Sequence, residues 1–143
     1  MLTEQKAVVT KTDRGRLRDM IGSIRRSRLP VEHGLESYLR ALEGQLARTT
    51  IVSPSTVQAD TVTMNSKVCL REMETERCWA VTLAYEAAAN PFGEKLSVLS
   101  ELGASLLGSR VGDFVQWNTR RGRRHVRIER ILFQPEAAGE FDL

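Results

Sequence analysis

Only two cysteines, four prolines and 6% aromatic residues are found in the 143 residues, and each scarcity excludes something. Cys69 and Cys78 form no CxxC pair, and His33 and His125 lie far from both in sequence, so no zinc site is readable. The two cysteines fall in adjacent candidate strands with matching parity, which brings both side chains to one face of a hairpin. A cross-strand disulfide there is geometrically conceivable but foreign to a reducing compartment. No apolar run approaches the roughly 20 residues needed to span a bilayer. The opening residues MLTEQKAVVTKTD hold no apolar segment of a secretory signal, so the expected location is cytoplasmic. There are no P-loop glycines, no plausible phosphorylatable active-site histidine, no internal repeat and no low-complexity tract.

What is present is globular: 41% hydrophobic and 27% charged residues, enough for one ordinary domain or two small ones sharing an interface. Net charge is only +3, yet arginine is concentrated in two places. One group is Arg14, Arg16, Arg18, Arg25, Arg26 and Arg28; the other is Arg120, Arg121, Arg123, Arg124, Arg127 and Arg130. Such density suits an anionic partner, nucleic acid or an acidic protein face. A solvated helix face and a soluble hairpin tip account for it equally simply.

Residues 1–50 read as a short antiparallel helical hairpin, a small coiled coil. Thr10 and Asp13 are spaced as a capping box, and Leu17, Met20, Ile21 and Ile24 follow as one apolar stripe. Leu29-Pro30 stops that helix and starts the next, since proline suits the first helical position. Val31, Leu35, Tyr38, Leu39, Leu42 and Leu46 form the second stripe, with Gly34 and Gly44 inside the helix at a cost of roughly 1 kcal/mol each. Residues 51–60 lack any period and read as a linker.

Residues 61–143 change period. Val62, Met64, Val68 and Leu70 share one face of a strand, and Trp79, Val81 and Leu83 one face of the next, joined by a METE turn. Residues 86–94 are a loop, Leu96 to Leu99 a short strand, and Ser100 caps a short helix ending at Gly108. Phe114 to Trp117, a basic tip at Arg120 to Arg124, and Val126 to Phe133 complete an antiparallel sheet crossed by one helix. The expected class is α+β. The final QPEAAGEFDL suggests a turn whose aromatic-apolar tail is packed in place.

Three segments, VTMNSKV at 62–68, LSVLSELGASLLGSRVGDFVQW at 96–117 and QPEAAGEFDL at 134–143, resemble in order and spacing the C-terminal domain of bacterial GreA/GreB-type transcription factors. The chain is similar, more closely, to the regulator of nucleoside diphosphate kinase family, a shortened hairpin on a Gre-type domain. The resemblance implies an FKBP-like C-terminal fold that docks on the rim of the RNA polymerase secondary channel. By position against the family's S-P-x-G-x-A-L-L-G element, Ser100, Glu101, Leu102, Gly103 and Ala104 become candidates for the polymerase contact, with Glu101 replacing the usual proline and loosening the loop. Leu102, Leu106 and Leu107 also suit the plain apolar face of a helix.

Gre factors reach down the channel with a long finger whose acidic tip supports a magnesium ion. Here the expected helices, about Thr12 to Arg26 and Pro30 to Arg48, span only roughly 22 and 28 Å. The tip, RRSRLPVEHGLE, places three arginines before Glu32 and Glu36, which repels a cation rather than binding it. The expected function is therefore a non-catalytic, cofactor-free polymerase-binding regulator, monomeric or a weak dimer, that competes with Gre factors without stimulating transcript cleavage. Two alternatives stand beside it. One is direct nucleic-acid binding through Arg120 to Arg130, including Arg120, Arg121, Arg123 and Arg124, and through the arginine-rich first helix, with no aromatics interleaved for base stacking. The other is a peptidyl-prolyl isomerase, for which the chain is poor in the aromatics that ring such a pocket.

Overall fold

Thr10 starts the first helix as its spacing predicts: its hydroxyl accepts the Asp13 backbone N–H at 3.1 Å in the computed structural model, which describes residues 7–27, 34–86 and 90–143. A three-residue strand, β1 (Val8–Thr10), leads directly into helix α1 (Lys11–Arg26). Leu17 and Ile21 are buried and Met20 and Ile24 pack beside them, so the apolar stripe faces the core. Helix α2 (Leu35–Ala47) buries Leu39, Leu42 and Leu46. The predicted break at Leu29-Pro30, together with Val31 and Glu32, lies outside the described residues. Gly34 is not inside the helix as expected: at φ +99° it is the N-cap, a conformation that favours glycine. Tyr38 also leaves the predicted stripe and is half exposed.

Arg25 links the two helices. Its guanidinium donates to Glu36 at 2.8 Å and to Glu43 at 2.6 and 2.8 Å. The expected linker begins as a strand, β2 (Thr50–Val52), which pairs in parallel with β1, Val9 opposite Ile51. The β-branched run Thr50-Ile51-Val52 suits a strand, but three residues are too few to show a period.

The main sheet has the order β5-β4-β3-β7-β6. Strands β3 (Lys67–Glu72) and β4 (Cys78–Ala84) form the expected antiparallel hairpin, with Val68 opposite Val81 and Leu70 opposite Trp79. Residues 61–66 are not part of β3; they run irregularly, with Asn65 at positive φ, though Val62 and Met64 are fully buried. Strand β5 (Lys95–Ser97) corrects the all-antiparallel expectation, because it joins β4 in parallel, Leu83 opposite Leu96. Helix α3 (Glu101–Leu106) follows. Strands β6 (Phe114–Thr119) and β7 (Gly122–Phe133) pair antiparallel, so the basic turn is shorter than expected and Arg123 and Arg124 lie within β7. The outcome is a mixed α+β fold with a mainly antiparallel sheet.

One contiguous core cluster draws Leu17, Ile21, Leu39 and Leu42 together with Val68, Leu83, Leu106 and Ile128. Cys69 stands opposite Ala80 and Cys78 opposite Arg71, so the thiols share a face without facing each other, and both are free. The terminal segment is only partly packed. Gln134 is buried and donates to the carbonyls of Thr61 at 2.7 Å and Gln58 at 2.8 Å, while Phe141 and Leu143 remain about half exposed. The expectation of a fully docked tail is corrected: its polar turn is anchored, while its apolar end is only half covered, with the Leu143 carbonyl accepting from Arg16.

Candidate functional site

Two regions that are separate in sequence meet at one groove of about 750 Å³. The start of α3 forms one wall, the β6–β7 turn another, and Pro91, Phe92 and Arg77 close the side toward β4. Tyr38 of α2, half exposed, reaches its rim.

The α3 wall begins with Ser100. Its hydroxyl accepts the Gly103 N–H at 3.0 Å and donates to the Ser97 carbonyl at 2.6 Å, a tight cap that leaves the first turn facing outward. Glu101 does the opposite of loosening this loop. Its carboxylate accepts the backbone N–H of Asn118 at 3.1 Å and so ties α3 to the open edge of β6. Of the five predicted contact residues, Ser100 and Glu101 have surface to offer. Leu102 and Ala104 are buried, and Gly103 is enclosed: a Cβ there would fall 2.0 Å from the Ser97 carbonyl oxygen. Gly103 is therefore required by the close approach of α3 to the chain before it.

At the opposite wall, Thr119 closes the β6–β7 turn, donating to the Gly122 carbonyl at 2.8 Å and accepting the Arg121 N–H at 3.2 Å. Arg120, Arg121 and Arg124 line the groove; Arg123 is exposed but does not. Arg124 stands 3.6 Å from the buried Glu72 carboxylate. The absence of aromatics among the arginines is true of the sequence and not of the fold. Trp79, Phe92 and Trp117 form a cluster with ring centroids 5.0 to 6.2 Å apart, and the Arg77 guanidinium lies 4.1 Å from the centre of the Phe92 ring. The Trp79 indole N–H donates to the Pro91 carbonyl at 2.8 Å and holds that loop against the sheet. Sequence reasoning missed Arg77 and Phe92, whose only signal is tertiary.

A second polar cluster was also missed. Asp13, in the first turn of α1, is buried and accepts the Met64 N–H at 3.0 Å and the Tyr85 hydroxyl at 3.3 Å. Burial pushes its carboxyl up to about 6, against the Met64 N–H, which lowers it, and with the nearby Glu136 charge, which raises it further. Tyr85 is raised too, chiefly by burial and then by the Asp13 charge. Glu136 itself accepts the Thr63 hydroxyl at 2.6 Å. In the first turn of α2, the Glu36 carboxylate is held by Arg25 and approached by Arg40 at 3.4 Å, and Arg25 keeps it below the usual glutamate range. Among the described residues, no three His, Cys, Asp or Glu side chains gather closely enough to hold a metal ion.

The family model described as transcription elongation factor, GreA/GreB, C-terminal, matches residues 57–133, more than half of the chain. The chain belongs to the GreA/GreB family. The matched GreA/GreB segment contains all of the described groove residues except Tyr38. Among curated relatives, the regulator of nucleoside diphosphate kinase of Escherichia coli K12 is 38% identical over 102 residues, covering 71% of this chain and 75% of that protein. The transcription elongation factor GreA of Chlorobium phaeobacteroides BS1 is 35% identical over 100 residues, and the match spans 62% of its length. Among solved structures, a GreA/GreB transcription elongation factor from Nitrosomonas europaea superimposes with a TM-score of 0.68 at 29% identity, covering 91% of this chain and all of that one. None of the described helices is long and apolar enough to cross a membrane.

Proposed function

We propose that this chain is an RNA polymerase-binding transcription regulator that docks at the rim of the secondary channel, competes with Gre factors and does not stimulate transcript cleavage. The supporting observation is the α3 wall: Ser100 and Glu101 stand at the surface of the family-matched segment, held by Ser97 and Asn118, beside a basic turn. In this reading Leu102, Gly103 and Ala104 shape that surface from beneath, and Arg120, Arg121 and Arg124 meet acidic groups of the partner. Residues 61–143 act as the docking unit and residues 1–50 as a short finger, joined by 51–60.

The non-cleaving part rests on reach and charge. Helices α1 and α2 have 16 and 13 residues. At 1.5 Å per residue they are roughly 24 and 20 Å long. Glu36, a carboxylate in the first turn of α2, is engaged by arginine instead of being open to a cation. A pull-down of core RNA polymerase on the immobilised chain, with and without excess GreA, tests docking. Retention that GreA displaces is the expected result; no retention at micromolar protein overturns it. Stimulated RNA cleavage in a stalled elongation complex overturns the non-cleaving part alone.

A further inference from the structure

The groove carries chemistry that a protein-docking surface does not need. Its volume, about 750 Å³, falls among small-molecule sites, which run to roughly 300–1,000 Å³. Four arginines line it, Arg77, Arg120, Arg121 and Arg124, against two carboxylates, Glu72 and Glu101. Both carboxylates are engaged within the protein: Glu72 by Arg124 and the Thr75 hydroxyl, Glu101 by the Asn118 N–H. Arg124 and Glu72 offset each other, which leaves Arg77, Arg120 and Arg121 against Glu101, beside an exposed Phe92 ring with the buried Trp117 behind it. Guanidinium forks pair with phosphate oxygens two at a time, and their planar faces stack on aromatic rings. Arg77 already does the second on Phe92.

We propose that this groove binds a free nucleoside di- or triphosphate, its base stacked on the exposed Arg77–Phe92 pair and its phosphates on Arg120 and Arg121. The planar Arg77–Phe92 stack and the guanidiniums of the turn match the two halves of that ligand, and neither half alone uses the whole groove. The β6–β7 turn leaves Arg120 and Arg121 exposed, so the phosphates meet them without disturbing the sheet. This site shares a face with the proposed polymerase contact but does not depend on it, and its test uses the chain alone.

The experiment is a titration of the ¹⁵N-labelled full chain with GDP and with ADP, followed through backbone amides and the two tryptophan indole N–H signals. Inorganic pyrophosphate and a short single-stranded RNA serve as comparison ligands. Saturable shifts are expected for the Trp117 indole and for residues 119–121, with pyrophosphate producing the turn shifts only and binding more weakly. The double variant Arg120→Ala, Arg121→Ala removes two exposed side chains and should weaken nucleotide binding by about tenfold or more. Arg14→Ala with Arg18→Ala, on α1 and away from the groove, should leave it unchanged. Equal binding of pyrophosphate and nucleotide overturns the proposal, because the Arg77–Phe92 stack is then idle. RNA binding that free GDP and ADP do not compete overturns it as well, and so does the absence of shifts at about 1 mM ligand, a threshold equivalent to about −4 kcal/mol.

Discussion

The Asp13 carboxylate accepts the Met64 backbone N–H at 3.0 Å, joining the first turn of α1 to the irregular segment that precedes β3 across 51 residues of sequence. The same carboxylate accepts the Tyr85 hydroxyl, so one buried side chain binds α1 to two parts of the sheet region. Burial raises its pKa from an ordinary value of 3.8 to about 6. The folded protein then holds this proton over a window in which the unfolded chain has released it. Stability from Asp13 is therefore fully present below about pH 4 and is lost as pH rises through about 6.

Asp13→Asn should accordingly flatten the fall in melting temperature between pH 4 and pH 7. Tyr85→Phe removes a hydrogen bond that favours the charged form and should steepen it. Asp13→Ala strands the buried Met64 N–H and should cost about 1–3 kcal/mol at any pH in this range. Thermal melts across pH 4–7.5 measure all three; a wild-type curve without the downward step would show that Asp13 titrates normally.

Arg25 provides a pH dependence of opposite sign. It holds Glu36 and Glu43 below the usual glutamate range, so their contribution is present above about 4.5 and is lost as pH falls through their folded values. Arg25→Ala should reduce the loss of melting temperature on the acid side, and added salt should shrink the difference between variant and wild type, since these groups are solvent-exposed. Arg25→Lys should recover only part of the effect, because one ammonium cannot serve two carboxylates in the bidentate manner seen at Glu43. Melting curves at low and high salt separate these outcomes.

What sequence reasoning found is what local spacing encodes. The Thr10–Asp13 cap, the Leu17–Ile21 stripe and the Ser100–Gly103 cap each rest on residues three or four apart, and all three hold in the fold. The misses are non-local. Strands β1 and β2 stabilise one another across 42 residues, and neither is long enough to show alternation. The parallel pairing of β5 depends on the path of the intervening loop, which no periodicity records. The groove was half legible: Ser100, Glu101 and the arginines at 120, 121 and 124 were recognised, but as separate features. Arg77 stacks on Phe92 across 15 residues, and only the tertiary contact of the Phe92 ring with Trp117 ties them to the β6 side of the groove. Gly34 misled because a glycine within an apolar stripe gives no sign of which side of a helix boundary it occupies.

Gly103 should be the least replaceable glycine described here. An alanine Cβ would lie 2.0 Å from the Ser97 carbonyl oxygen, a backbone atom that cannot rotate away, and 2.9 Å from the Ser100 hydroxyl that caps the same helix. Gly103→Ala should destabilise by about 1–3 kcal/mol or more, the range for forced overpacking, and displace the α3 wall of the groove. Gly112→Ala is a useful contrast, since its Cβ meets nothing nearby and only its positive φ opposes the change. Urea unfolding should rank Gly103→Ala well below Gly112→Ala; equal effects would mean that α3 moves freely away from Ser97.

Glu101 is one position at which this chain departs from the related motif, replacing its proline, and its hydrogen bond to the Asn118 N–H gives the departure a physical role. Strand β6 is the sheet's edge, so this amide has no neighbouring strand to receive it on that side. Glu101→Ala should leave α3 intact, because Ser100 still caps it, while exposing the Asn118 amide. Faster hydrogen exchange at Asn118 with little change at Gly103 is the expected signature. Glu101→Pro should behave similarly at Asn118, since proline is accepted in the first turn of a helix but offers no acceptor. If both variants leave exchange at Asn118 as slow as in the wild type, the carboxylate does not hold the edge, and the α3 wall owes its position to the packing of Leu102 and Leu106 alone.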